Sequence, residues 1–460
     1  MTDLPMRGVA RTAKIATLPL SYAGRAAWAV GKRVGGKPAE LVAQEVQART
    51  AEQLFSVLGQ LKGGAMKVGQ ALSILEAAMP EEFIGPYRAT LTKLQDAAPP
   101  LPAEKVHAIL AEQLGPRWRT AKFESFTDVP AAAASIGQVH RAVWRDGREV
   151  AVKIQYPGVA KALKSDLVQL SRVARLAGSL VPGIDMAPIT AELMERMNEE
   201  LDYSLEASHQ RAFARAFRGH ERIVIPEVLA HSEKVIVTEW VDGRPLSQII
   251  ADGTAEERDH AAELYLEFLL SGPVLAKSLH ADPHPGNYRI TNDGRLAVFD
   301  FGAVNRLPQG LPPALGETLS SALRGDAATM TQQLRDEGFI KDSINVDPDQ
   351  LLGYLVPFLA PLASDEFTFS REWLRGLAAR INDPRQPDWA VGTKLNLPPD
   401  YLLIHRVWLG GIGVLCQIGG TVPGRQMFLE LVPGADFPPM VDGLADDLGD
   451  DLDGDDEEFI

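Results

Sequence analysis

The chain has 460 residues, 45% of them hydrophobic, which is ample material for two or three packed domains and excludes a disordered protein. A formal net charge of −15 excludes a general affinity for nucleic acid. The single cysteine, Cys416, excludes an intrachain disulfide and a metal site built from a cysteine cluster, and points to a reducing compartment.

The N-terminal arm, residues 1–45, is basic. Arg7, Arg11, Lys14, Arg25, Lys32, Arg33 and Lys37 face only Asp3 within its first 37 residues. Charges and two prolines break up its apolar residues, so it does not read as a secretory segment. It reads as a solvated extension able to lie on an anionic membrane surface. Residues 46–122 form a helical extension in which Leu54, Leu58, Leu61, Ala65, Val68, Leu72 and Leu75 recur at spacings of four and three. The proline-rich stretch Leu94 to Pro102 interrupts it, a short helix follows, and a domain boundary is expected near 120.

Residues 123–241 read as a strand-rich lobe with inserted helices. "REVAVKIQY" and "KVIVTEWVDG" are its clearest strands, with Gly243 and Pro245 expected to stop the second, and Ile189 to Phe217 reads as helix. Residues 242–434 are mostly helical, broken by "HADPHPGNYRI" and "LAVFDFGAV". The apolar stretch from Tyr401 to Gly420 contains His405, Arg406 and five glycines, and is expected to form a buried helix pair rather than a membrane span. Residues 435–460 form an acidic tail, with ten acidic residues and no Lys or Arg from Asp442 on, expected to be disordered.

Three groups carry chemistry. Asp282 and Asn287 stand five apart in "HADPHPGN", and Asp300 follows in "VFDFG". Phosphoryl transfer needs an acid beside the acceptor and oxygen ligands for Mg²⁺, and these residues are of that type. Lys153 lies within a strand, upstream of a predicted helix carrying Glu200, Asp202 and Glu206, the last two on one helical face. A lysine gripping phosphate needs such a carboxylate to hold it. Ahead of it "PAAAASIGQVH" puts Ala132, Ala133, Ala134 and Ser135 where a nucleotide hairpin usually carries glycines. Each signal alone is weak: a strand lysine is usually solvated, an Asp-Phe-Gly at a strand end is usually a turn, and an acidic run is often a surface helix.

Together with "KVGQ" (Lys67 to Gln70) and "EELDYSLEA", these motifs resemble the UbiB/ABC1/COQ8 family of atypical protein-kinase-like proteins, and they occur in family order from residue 67 to 302. The resemblance implies an α+β, bilobal protein-kinase-like fold with the N-terminal helical extension over the active site. It implies ATP or ADP and Mg²⁺ as cofactors, with Lys153 on the α/β-phosphates, Glu206 pairing it and Asp282 as base or water-positioning group. Asn287 and Asp300 would take the metal, and the backbone from Glu239 to Val241 the adenine. Lys67 and Gln70 would cover the site, with Lys67 near Glu200 and Asp202, and would exclude peptide substrates. The alanine run stands in for glycines, which restricts the loop because alanine lacks easy access to positive φ.

A lipid or quinone-like small molecule, a peripheral contact at the inner face of the membrane of a cytoplasmic protein, and a homodimer are the candidate partners. The expected function is that of an ATPase accessory to isoprenoid-quinone or related lipid metabolism. The alternative is a nucleotide-gated binding module for a hydrophobic small molecule or partner protein, with little turnover. No "APE" segment follows Gly302, so protein kinase activity is not expected; the two-helix C-terminal membrane anchor of some bacterial members is not visible, which leaves membrane contact to the basic arm or an exposed apolar helix.

Overall fold

The computed structural model describes residues 100–134, 136–159, 201–382 and 386–439. The basic arm, the Lys67–Gln70 helix, Ser135, Glu200 and the acidic end of the tail lie outside the described residues. The chain divides into two compact units, the division falling after Leu205 and around the segment Leu229–Glu239.

Unit 1 is built on an antiparallel sheet. Its strands are β1 (Phe123–Phe126), β2 (Ala132–Ala134), β3 (Gly137–Trp144), β4 (Glu149–Gln155), β6 (Val228–His231) and β7 (Val235–Glu239), in the order β1-β3-β4-β7-β6 with β2 on β3. The short strand β5 (Ile223–Val224) belongs to unit 2. Period-two alternation sets the faces: Val150, Val152 and Ile154 of β4 are buried together with Ala142, Val235 and Val237. Helices α1 (Ala103–Leu114) and α2 (Trp118–Lys122) close that face through Val106, Ile109, Leu110 and Trp118. The Trp118 ring meets Phe126 edge-on at 5.1 Å. These helices share the core of the sheet, so the boundary expected near 120 is not there; it was read from a turn signal, whereas apolar burial decides where a unit ends.

Helix α3 (Tyr203–Ala216) begins in unit 1 and continues into unit 2, which also takes in Glu206–Val228, counted with the strand-rich lobe on sequence. In unit 2, strand β8 (Gly243–Pro245) leads to α4 (Leu246–Asp252) and α5 (Ala255–Leu275), followed by β9 (Ser278–His280), β10 (Tyr288–Thr291), β11 (Leu296–Val298) and β12 (Val304–Arg306). Their order is β5-β11-β10-β8, with β9 paired to β12. Gly243 and Pro245, expected as strand breakers, are themselves paired to β10, at Thr291 and Arg289. Pairing on one side leaves proline's missing N–H without cost to that ladder.

α5 starts at a capping box between Thr254 and Glu257 and is buried along most of its length, from Ala261 to Pro273. The apolar stretch expected as a helix pair is one helix running Pro399–Ile418. It is long and apolar enough to cross a membrane, and 61% of its apolar window is buried inside the protein. Its paired glycines allow close packing rather than a break: a Cβ on Gly411 would stand 2.6 Å from Leu269 of α5, and one on Gly410 would stand 2.7 Å from Pro283. The first residues of the expected disordered tail are held. Phe437 is buried, Arg324 donates to the Asp436 carbonyl at 2.9 Å, and Arg425 donates to the Pro438 carbonyl.

Candidate functional site

The alanine strand β2 pairs antiparallel with the start of β3. Ala132 pairs with Val139, Ala133 with Gln138 and Ala134 with Gly137. One glycine remains for a packing reason: a Cβ on Gly137 would stand 2.2 Å from the Ile154 carbonyl oxygen across the ladder. The two polar residues of "GQVH" face away from the lysine side of the sheet. Gln138 and His140 are both buried, on the face covered by α1. Gln138 accepts from the Leu101 backbone N–H at 2.7 Å and reaches His140 Nε2 at 2.7 Å, while His140 Nδ1 donates to the Thr127 carbonyl at 2.8 Å. Burial lowers the His140 pKa, partly opposed by the Thr127 carbonyl, so the ring is neutral.

Lys153 lies on β4, opposite Val139 and Ile236, on the other face of the sheet from Val152 and Ile154. Its ammonium stands 5.1 Å from the centre of the Tyr203 ring, a cation–π contact that orients it. Glu239 ends β7 and forms an ion pair with Arg148 at 3.3 Å, and Val241 follows outside the strand, as a chain segment offering backbone groups would.

Asp202 differs from its expected place. It precedes α3 instead of sharing a face with Glu206, and its carboxylate accepts from the Ser204 and Leu205 N–H groups at 2.9 and 3.1 Å. A short carboxylate at a helix start satisfies two donors that the helix cannot, which is why Asp favours this position. Glu206 lies within α3 and is 3% exposed.

In unit 2 the segments that carry Asp282, Asn287 and Asp300 are joined by hydrogen bonds. The Asn287 side-chain amide donates to the Asp282 carbonyl at 3.2 Å, and Phe299 N–H donates to the Asn287 carbonyl at 2.8 Å. Ala281 N–H donates to the Ala303 carbonyl at 2.9 Å, so the loop after β9 and the Asp300 turn run side by side. Asp300 adopts φ of 58°, a left-handed conformation unusual for a residue with a side chain.

Two histidines that sequence reasoning passed over hold that turn. His280 Nε2 donates to the Asp300 carbonyl at 2.9 Å and approaches the Phe299 carbonyl at 3.2 Å. His209, one helical turn beyond Glu206 on α3, reaches the Phe301 carbonyl through Nδ1 at 3.2 Å. Phe301 is fully buried, with its ring 5.0 Å from Phe213 and 5.1 Å from His280. Burial lowers the His280 pKa against the pull of Asp282 and Asp300, which keeps the ring neutral. The only sequence signal for His280 was its place beside Asp282, and for His209 its spacing of three from Glu206.

The donors suit a hard cation: a carboxylate at Asp300 and the side-chain oxygen of Asn287, whose nitrogen is turned to the Asp282 carbonyl. Among the described residues no three or more His, Cys, Asp or Glu side chains gather as a metal cluster. A cation here would take its remaining ligands from phosphate oxygens and water, as Mg²⁺ does.

A family model described as the ABC1 atypical kinase-like domain matches residues 93–334. The chain is 31% identical over 446 residues to "Atypical kinase COQ8B, mitochondrial" of Danio rerio, a match covering 93% of this chain and 69% of that protein. It is 29% identical over 353 residues to "Atypical kinase coq-8, mitochondrial" of Caenorhabditis elegans, covering 74% of this chain and just under half, 46%, of the worm protein. Among solved structures it is similar to that of Rv3197 from Mycobacterium tuberculosis in complex with erythromycin. The identity is 42% and the TM-score 0.68, over 87% of this chain and all of that one.

Proposed function

The chain belongs to the ABC1 atypical kinase-like family and has its α+β kinase-like fold, and from that premise we propose that it is a Mg²⁺-dependent, adenine-nucleotide-binding ATPase. The observation that carries the reading is the lacing of Asp282, Asn287 and the Asp300 turn by the hydrogen bonds from Asn287, Phe299 and Ala281. Bound Mg²⁺ would neutralise charge on the phosphate oxygens as the terminal phosphoryl group leaves.

The chain's own groups do the rest. Lys153 takes the α/β-phosphates, with its ammonium steadied over Tyr203, and Glu206 pairs it. The alanine hairpin covers the phosphates, and the backbone from Glu239 to Val241 meets the adenine. Asn287 and Asp300 bind the metal, and Asp282 orients the attacking water or hydroxyl and holds its proton. Lys67 and Gln70, with Glu200 and Asp202, keep peptides out, so general protein phosphorylation is not part of the reading. The physiological setting in this proposal is isoprenoid-quinone or related lipid metabolism, with residues 1–37 meeting anionic lipid from the cytoplasmic side.

A second reading is favoured by one observation: the M. tuberculosis relative was captured with erythromycin. In it the chain binds a bulky hydrophobic small molecule under nucleotide control and turns over little. ATP hydrolysis measured with and without Mg²⁺, and with and without anionic lipid or detergent, separates the two. Mg²⁺-dependent turnover that lipid or detergent raises supports the ATPase. Background turnover in every condition, with a thermal shift on adding erythromycin, supports the binder.

A further inference from the structure

A buried hydrogen-bonded chain runs from the loop of Asp282 to the backbone of Asp300, and its middle member is a tyrosine for which the proposed function has no role. Tyr288 opens β10 immediately after Asn287 and is fully buried. Its hydroxyl lies 3.2 Å from His280 Nδ1, while His280 Nε2 lies 2.9 Å from the Asp300 carbonyl oxygen. Its ring stands edge-on to Tyr265 at 5.0 Å, and the Tyr265 hydroxyl reaches the Pro283 carbonyl at 3.5 Å.

The direction of every bond in this chain follows from chemistry. A carbonyl oxygen only accepts, so Nε2 carries the proton. A neutral imidazole has one N–H, so Nδ1 is left as an acceptor and needs a donor. The Tyr288 hydroxyl, 3.2 Å away, is that donor.

We propose that Tyr288 is a positioning residue for the metal ligand Asp300: its hydroxyl fixes His280 in the Nε2–H tautomer, and that N–H clamps the Asp300 carbonyl so that the residue holds its left-handed turn. This rests on the reading of Asp300 as a metal ligand. Without the hydroxyl, Nδ1 is a buried acceptor with no donor, and moving the proton to Nδ1 would turn the Nε2 lone pair toward two carbonyl oxygens. The strained φ at Asp300 then loses its restraint, and the carboxylate loses a fixed direction. A phenylalanine would keep the ring packing against Tyr265, Phe268 and His280 and remove the hydroxyl, which also bonds the Tyr265 hydroxyl.

Two measurements test this. In ¹⁵N-histidine-labelled protein without nucleotide or metal, the His280 ring shifts are expected to report the Nε2–H form, and Tyr288→Phe to shift the ring toward the other tautomer. In Mn²⁺ titrations with ADP present, Tyr288→Phe is expected to weaken metal binding about tenfold, while ADP binding in EDTA stays unchanged. A change that merely loosened the core would lower the melting temperature and leave both readouts alone, which overturns the proposal. So does an Nδ1–H ring in the unmodified protein.

His280→Gln supplies a second route should Tyr288→Phe fold poorly, because the glutamine amide can still donate to Asp300. In that background adding Tyr288→Phe should cost no further Mn²⁺ affinity, and an additive loss overturns the relay. Absence of Mn²⁺ binding by the unmodified protein would overturn the site reading and the metal-positioning role with it. The tautomer comparison would then still decide whether Tyr288 sets His280.

Discussion

Lys153 stands on a strand paired along its length on both sides, with β3 and with β7. Asp282, Asn287 and Asp300 stand on short connections whose order comes from side chains bonded to backbone: Asn287 to Asp282, His280 to Asp300, His209 to Phe301. The first arrangement makes position a matter of register, so disturbing it unfolds the sheet. The second makes position a matter of individual clamps set over strained backbone, so disturbing it changes what the site binds before it changes whether the unit folds.

The contrast is tested most severely at Gly137. Gly137→Ala sets a Cβ against the Ile154 carbonyl oxygen at the end of the β3–β4 ladder and is expected to destabilise unit 1 by about 3 kcal/mol. Urea unfolding followed by Trp118 and Trp144 fluorescence checks it, and an alanine tolerated without loss would show that register is looser than the pairing implies.

On the other side, Asp300→Asn keeps a side chain that accepts the left-handed turn but removes the metal-binding charge. The melting temperature without ligand is expected to stay put. The stabilisation by MgADP, roughly 2.7 kcal/mol at about 100 times Kd, is expected to vanish. A full ligand-induced shift in Asp300→Asn would remove the metal assignment.

Gln138→Leu is a smaller break in unit 1. It leaves the Leu101 N–H and a His140 ring nitrogen without their partner, and should cost about 2 kcal/mol in the same urea experiment with nucleotide binding unaltered. If nucleotide binding falls with stability unchanged, the "GQVH" residues face the ligand after all.

The buried His140 also sets a pH dependence. Its folded pKa lies below the unfolded value near ~6.5, so above that pH neither state is charged and nothing is lost. As pH falls below it the unfolded chain takes up a proton that the folded chain resists, and stability drops by up to about 1.4 kcal/mol per pH unit until the folded pKa is reached. The nearby groups pull in opposite senses, Asp128 raising the His140 pKa and His107 lowering it. His140→Gln should flatten the slope below about pH 6.5 in unfolding free energies. An unchanged slope would assign it to other groups.

The smallest effect is expected at the exposed end of the lysine strand. Arg148→Ala removes the ion pair with Glu239 and should change stability by no more than about 0.5 kcal/mol.

Much of this was legible along the chain because it is local chemistry. The lysine strand announces itself in the alternation of Val150, Val152 and Ile154, and the oxygen donors are written in two motifs thirteen residues apart, from Asn287 to Asp300. The α5 start is a capping box four residues long. Elements were misread where the signal had two meanings. A Gly-Gly inside an apolar run reads as a break or as a close approach, and the run Pro399–Ile418 is a single helix because Leu269 and Pro283 press on it. Asp202 reads as helical by spacing, and it caps because the chain turns into α3 at Tyr203.

Sequence by itself determined which residue types and spacings were present: the family motifs, the strand that bears Lys153, the hard oxygen donors, and a composition that rules out an intrachain disulfide and a cysteine metal cluster. Tertiary structure alone decided that Gln138 and His140 turn to the core face of the sheet, that His280 and His209 hold the backbone around Asp300, and that Tyr288 sits against His280. These depend on which segments approach within hydrogen-bonding distance, and Leu101 and Gln138, or His209 and Phe301, are too far apart in the chain for any periodicity to bring them together. Their approach is set by the burial of apolar faces, which acts on whole helices and sheets and leaves no mark at the individual polar residue.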